Sequence, residues 1–307
     1  MSHFGRFRVS GKDAAVLLHH LTTNNIKKLQ PDQGCDAILI SNKARVLDWL
    51  QIWRESGDAY LVLTSPNRRE LFAPHARKFV LYQQDVTIED VTERSALMGI
   101  FGADVDTAVK EADGEASLDV PLNGVVYSQW NEHPLWLSGT RRLPGNGVLV
   151  GSSDAGALEA MAKSSGAVLC DDATYNSLRI EAGIPVTGLE LTDEINPWEA
   201  NFNFAISLEK GCYNGQEIIA RLNTYKKIKQ RLMGVRLENA LPMGERFVLR
   251  SNGRNAGILT SSATSLHQGA IGLGFIRTDY QEAGTVLEVE SLPSQKAVVC
   301  ELPFGEA

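Results

Sequence analysis

The stretch Lys210-Gly211-Cys212-Tyr213-Asn214-Gly215-Gln216-Glu217 sets a cysteine beside a lysine, between two glycines. It runs straight into Ile218-Ile219-Ala220-Arg221-Leu222, which reads as a helix. Asn214 is suited to cap that helix, and Glu217 follows three residues later, the spacing of a capping box. A helix N-terminus and a nearby cation both stabilise a thiolate, so Cys212 is a candidate reactive or ligating sulfur. The same residues fit a tight glycine turn in which a small cysteine only fills space. Local chemistry leaves both readings open.

Two other groups of residues could do chemistry. Asp48 lies between Leu47 and Trp49 in an apolar run. A carboxylate there either faces water or points into a pocket, where it would pair with a basic nitrogen on a ligand. The local sequence favours the exposed placement. Trp49 and Trp53 are four residues apart, so on a strand they share a face and Asp48 takes the other. They are either core packing or a wall for a flat ring. Farther on, Arg221, Lys226, Lys227, Lys229 and Arg231 follow one another with no acid between Glu217 and Glu238. This stretch is either a solvated hinge or a holder of phosphates or carboxylates. No phosphate loop, dinucleotide fingerprint, nucleophile elbow or zinc-protease motif occurs. His19 and His20 are adjacent and cannot chelate one ion from a helix.

These residues need a scaffold, and the pattern supplies one. Val16, Leu17, His20 and Leu21 recur at helical spacing. Residues 35–40, 46–53, 60–64, 86–91 and 96–102 read as strands, and 66–81 as a helix with a break at Pro74. Residues 135–138 and 147–150 look like strands, residues 155–165 and 175–182 like helices, and 189–204 like irregular chain. Strands and helices without strict alternation indicate an α+β body. From Arg231 onward short β-like runs separated by glycine, proline and serine turns suggest a small all-β barrel. The expected division is an α+β region over 1–235 and a barrel over 236–307.

The bulk properties agree. The chain has 307 residues, 43% hydrophobic and 22% charged, with a net charge of -7. That balance argues against broad nucleic-acid binding. Four scattered cysteines without zinc spacing point to free thiols in a reducing cytoplasm and to no metal site. No apolar run is long enough to span a bilayer.

Residues 210–217 match the Lys-Gly-Cys-Tyr/Phe-x-Gly-Gln-Glu hallmark of the YgfZ family of folate-binding proteins, which are relatives of the glycine cleavage T-protein aminomethyltransferase. Residues 178–185, Leu-Arg-Ile-Glu-Ala-Gly-Ile-Pro, resemble that family's Arg-x-Glu-Ala-Gly-Ile segment, and 196–200 its Pro-x-Glu-Ala element. Residues 222–226 and 229–232 are similar to the cyanobacterial and plastid branch. Residues 9–24 resemble the shared start, and 257–261 and 271–275 the terminal barrel. The resemblance implies a ring of two intertwined α+β subdomains and a C-terminal barrel, with tetrahydrofolate in the central opening. It implies Cys212 and Asp48 as working residues, and Trp49, Arg179, Glu181, Lys210, Tyr213, Gln216, Lys226 and Arg231 as folate contacts. It further implies an accessory role in iron–sulfur cluster assembly or repair, with iron–sulfur proteins or tRNA-modifying enzymes as partners; the alternative is an aminomethyl- or methyltransferase. Three departures stand out. Position 214 is Asn where relatives often have an apolar residue, which suits a helix cap. The T-protein's Gly-Tyr-x-Gly-Glu pterin block has no equivalent, and the strand preceding the first motif in many relatives is expected to be short or missing.

Overall fold

The computed structural model describes residues 3–102, 120–145, 147–224 and 228–305. They form two compact units: Met1–Asn42, Leu47–Leu169 and Phe204–Gln216 make the first, and Lys43–Val46, Cys170–Asn203 and Glu217–Ala307 the second.

The first unit is built on two antiparallel sheets. One contains β1 (Phe4–Ser10), β2 (Gly34–Ile40), β3 (Val46–Arg54), β4 (Ala59–Pro66) and β5 (Thr87–Asp90) in the order β2-β3-β4-β1-β5. The other contains β6 (Ala96–Ile100), β7 (Val126–Trp130), β8 (His133–Gly139) and β9 (Val148–Ser152) in the order β6-β9-β8-β7. Strand β1, seven residues long and flanked by β4 and β5, leads directly into the first motif. Helices α1 (Ala14–Leu21) and α2 (Arg69–Arg77) share a core with the first sheet through Leu17, Leu18, Leu21, Leu50, Ile52, Val62 and Phe72. The expected helix over 66–81 is therefore shorter, with Pro74 inside it; proline donates no N–H and crowds the preceding turn. Helix α3 (Ala155–Ser164) covers the second sheet through Leu158 and Met161.

Strand β3 explains how the two sheets meet. Leu50 and Ile52 belong to the core with α1 and α2. Trp53 instead packs against Trp136 of β8, ring centroids 5.5 Å apart, and donates from Nε1 to Ser138 Oγ at 2.8 Å. Gly34 sits where this contact is tightest: a Cβ there would lie 2.6 Å from Trp53 Cδ1 and 2.4 Å from the Asn123 carbonyl oxygen. With both faces covered, β3 has no wet side, and its indole area stabilises the unit at roughly 25 cal/mol per Å² buried.

In the second unit, strands β10 (Gln230–Leu237), β11 (Phe247–Ser251), β12 (Arg254–Ser265), β13 (Gly269–Arg277), β14 (Val286–Val289) and β15 (Leu292–Cys300) close into a barrel ordered β10-β13-β12-β11-β14-β15. Helix α4 (Asp172–Glu181) lies on β12 and β13. The barrel begins at Gln230, which pairs with Arg277, so the expected boundary at 235 falls inside its first strand. The outer end of β10 is polar and its buried run starts only at Leu232, which hid the strand's start. Helix α5 (Gln216–Thr224) follows the cysteine motif.

Candidate functional site

Helix α1 ends in carbonyl groups that have no partner within the helix. Lys210 supplies one. Its buried ammonium donates to the carbonyl oxygens of His19 (2.6 Å), Thr22 (2.6 Å) and Asn24 (2.8 Å). A cation is also what the negative end of a helix dipole favours. The Lys210 Nζ lies 4.4 Å from the centre of the buried Tyr213 ring. Burial pushes the Lys210 ammonium down to about 7 and the Tyr213 phenol up to about 12. Further stitches run from Asn214 N to His20 O (2.9 Å), Ser207 N to Thr23 O (2.9 Å) and Thr23 Oγ to Ala205 O (2.7 Å). Gln216 opens α5 and reaches back to the Lys210 carbonyl at 3.4 Å. Gly215, at φ 75°, makes the turn between loop and helix.

Lys210 and Tyr213 are thus anchors, and Cys212 between them is exposed. The thiol is held out on a loop fixed from both sides, which removes the reading of Cys212 as buried filler. His19 is buried next to this loop. Burial, and secondarily Lys210, drive its imidazole down to about 4, and its Nδ1 has no hydrogen-bond partner among the described residues.

A second group of residues in the same unit surrounds Trp49. Its Nε1 donates to Asp36 Oδ1 at 2.8 Å. Asn123 Nδ2 donates to Asp36 Oδ2 at 2.9 Å, and Arg141 Nε lies 3.8 Å from that oxygen. The Arg142 guanidinium lies 4.4 Å from the Trp49 ring centre and donates to the Trp49 carbonyl and, at 3.4 Å, to Ser65 Oγ. Phe204 meets Trp49 edge-on at 6.2 Å and carries the Arg141 guanidinium 4.8 Å above its ring. Trp49 and Asp36 are buried, whereas Phe204 is 41% exposed and the Arg141 side chain 45%. The solvent side of the cluster is therefore a phenyl face with a cation on it, suited to a flat conjugated ring bearing negative charge.

Asp48 is fully buried, not exposed as the local sequence favoured. Both of its oxygens accept from Ser65 N at 3.3 Å. Burial raises its pKa to about 6, and the Ser65 bonds and the Arg142 charge pull the other way. Burial raises the Asp36 pKa as well.

The remaining expected contacts belong to the second unit. Arg179 uses all five donors internally, to Asn176 Oδ1 (2.9 and 2.7 Å), Ile184 O (3.2 Å), Glu190 Oε2 (3.2 Å) and Ser261 Oγ (2.7 Å). None is left over for a ligand. Glu181 is half-buried and its carbonyl accepts from Phe304 N. Arg231 Nε donates to Asn201 Oδ1 at 2.6 Å. Lys226 lies outside the described residues. Sequence reading missed Asp36, Arg141, Arg142 and Phe204. The signal for Asp36 was present, a carboxylate in an apolar strand like Asp48; the adjacent arginines and Phe204 lie in irregular segments without periodicity.

Comparison with known proteins fits this architecture. The GCVT N-terminal domain matches residues 1–138, and the glycine cleavage T-protein C-terminal barrel domain matches residues 230–305. A chloroplastic protein of Arabidopsis thaliana named "Putative transferase" is 31% identical over 99% of this chain and 70% of its own length. The aminomethyltransferase of Bacillus subtilis is 24% identical over 99% of this chain and 86% of that protein. The crystal structure of the glycine cleavage system aminomethyltransferase T from Bartonella henselae superposes with a TM-score of 0.87 at 20% identity, covering 99% of this chain and 85% of that one. That likeness extends to the closed barrel and the α+β sheets described above. With both of its terminal domains matched and a 31% identical relative spanning nearly its whole length, the chain belongs to the glycine cleavage T-protein family.

Proposed function

We propose that this protein binds tetrahydrofolate and, as a YgfZ-type accessory factor, supports assembly or repair of iron–sulfur clusters, including those of tRNA-modifying enzymes. The observation that carries this reading is the exposed Cys212 on a loop anchored by Lys210 and Tyr213. A thiol fixed in place and open to solvent serves thiol exchange or transient cluster ligation with a partner protein. Phe204, Trp49 and Arg141 would hold the folate, whose flat pterin and anionic tail suit an aromatic face and a guanidinium. The folate itself would supply a reduced pterin beside the protein's thiol chemistry.

Transfer of an aminomethyl group is the second reading, favoured by likeness to proteins named aminomethyltransferases. Such transfer needs a positioned acid that reaches the ligand. Asp48 stands where the T-protein pattern suggests one, yet it is wholly enclosed, which weighs toward binding without turnover. Calorimetry with tetrahydrofolate, paired with complementation of an iron–sulfur enzyme defect by the Cys212→Ala variant, tests the proposal. Folate binding with failed complementation is expected. No folate binding, or full rescue without the thiol, overturns it; turnover of a methylated amine with folate transfers support to the second reading.

A further inference from the structure

We propose that one end of the barrel is a docking cleft for an acidic polypeptide segment. The strand order β10-β13-β12 sets three chain ends side by side. Lys229 precedes β10, Arg277 closes β13, and Arg254 opens β12. Adjacent strands lie about 4.8 Å apart, so the three cations sit on neighbouring rows. Together with Asn255, Thr278, Asp279 and Tyr280 they line an open cleft of about 810 Å³.

Several other cations on the barrel are held in ion pairs. Arg250 pairs with Glu290, Lys296 with Glu288 at 3.0 Å, and Arg246 with Glu194 at 3.3 Å. Among the described residues Lys229, Arg254 and Arg277 form no ion pair, and all three are exposed. In a chain of net charge -7, three cations lining a cleft with one carboxylate are a local reversal of sign. Such a patch steers a negatively charged partner and fixes its register. Asp279, within the same cleft, accepts from an N–H, and a polypeptide carries one on its backbone at every residue other than proline. Asn255, Thr278 and Tyr280 add side-chain groups that both donate and accept. A carboxylate-bearing peptide meets the cations with its side chains and the acid with a regular row of backbone N–H groups, whereas a nucleic-acid strand has donors only on its bases and sugars.

The test uses the full chain and fluorescence anisotropy with a labelled octaglutamate peptide, beside octauridylate of the same nominal charge. Octaglutamate is expected to bind at low salt and to bind about tenfold more weakly in the Arg254→Glu/Arg277→Glu variant, with circular dichroism unchanged. Arg250→Glu, on a different part of the barrel, is expected to change binding by less than about twofold. Equal loss in that control, no binding of the peptide, or tighter binding of octauridylate lost in the same double variant overturns the inference.

Discussion

The two units each bury charge, and they do so in opposite ways. In the second unit Arg179 and Glu190 form a closed account: every guanidinium N–H is used, and Glu190 accepts from Thr260, Ser261 and Val186 N. In the first unit Asp48 is equally buried, but its partners are the backbone and side chain of Ser65, the amide at 3.3 Å, and the positive charge that offsets it comes from Arg142 and Arg68. Buried pairs with all lone pairs and protons satisfied lock a fold, whereas a poorly compensated carboxyl costs stability and persists where something other than stability retains it. The Arg179 network reads as architecture, whereas Asp48 carries a desolvation cost that its contacts offset only in part.

Breaking the closed network should produce the largest effect. Arg179→Leu strands Glu190 in the interior, and a loss of about 3–5 kcal/mol is expected in urea unfolding; a loss below about 1 kcal/mol would erase the contrast between the units. Lys210→Met comes next. It leaves three carbonyl groups at the end of α1 without their donor and should cost about 3 kcal/mol. It should also change the rate of Cys212 alkylation by iodoacetamide, since the loop loses its anchor.

The Asp48 prediction has the opposite sign. A carboxyl whose pKa is raised to about 6 in the folded state binds more protons there than in the unfolded chain. The contribution of Asp48 to stability should therefore fall as the pH rises from about 4 to about 6, a slope read as the difference between wild type and Asp48→Asn. Asp48→Asn should lose that slope and melt higher than wild type at neutral pH, by about 1 kcal/mol once the new amide's unmet donors are counted. A variant less stable than wild type at neutral pH would mean that Asp48 is paired as well as Glu190 is. Phe204→Ala should leave the melting temperature nearly unchanged, because the ring is half in solvent, while weakening tetrahydrofolate binding about tenfold in calorimetry. The smallest shift is expected for Cys212→Ser, within about 0.5 kcal/mol of wild type by thermal unfolding. A larger loss would return the thiol to a packing role.

Much of this molecule can be read from its chain. The barrel strands are short β-like runs set apart by glycine, proline and serine turns, α1 has helical spacing, and Trp49 and Trp53 share a face as a period of two requires. What could not be read depends on distant partners. Asp48 looked exposed because its neighbours Leu47 and Trp49 say nothing of Ser65 or Arg142, which enclose it. Lys210 looked like a cation for the neighbouring thiol, but its acceptors are three carbonyls near residue 20. The start of β10 was hidden because its polar end is fixed by pairing with Arg277 of the neighbouring strand β13, distant in sequence. Local pattern reports which way a strand or helix faces; it is silent on what a loop brings to that face.

The anchoring of Lys210 on α1 also orders events in time. The contact joins residues 191 positions apart, and the chain between them includes a segment, Cys170–Asn203, that belongs to the other unit. A ribosome adding about 5–20 residues per second releases α1 well before residue 210 appears. Until then the carbonyls at the end of α1 stay hydrated and the first unit lacks its last piece. The cysteine reaches its anchored position only when this late segment closes, so a truncated or half-made chain never displays the thiol in its finished setting.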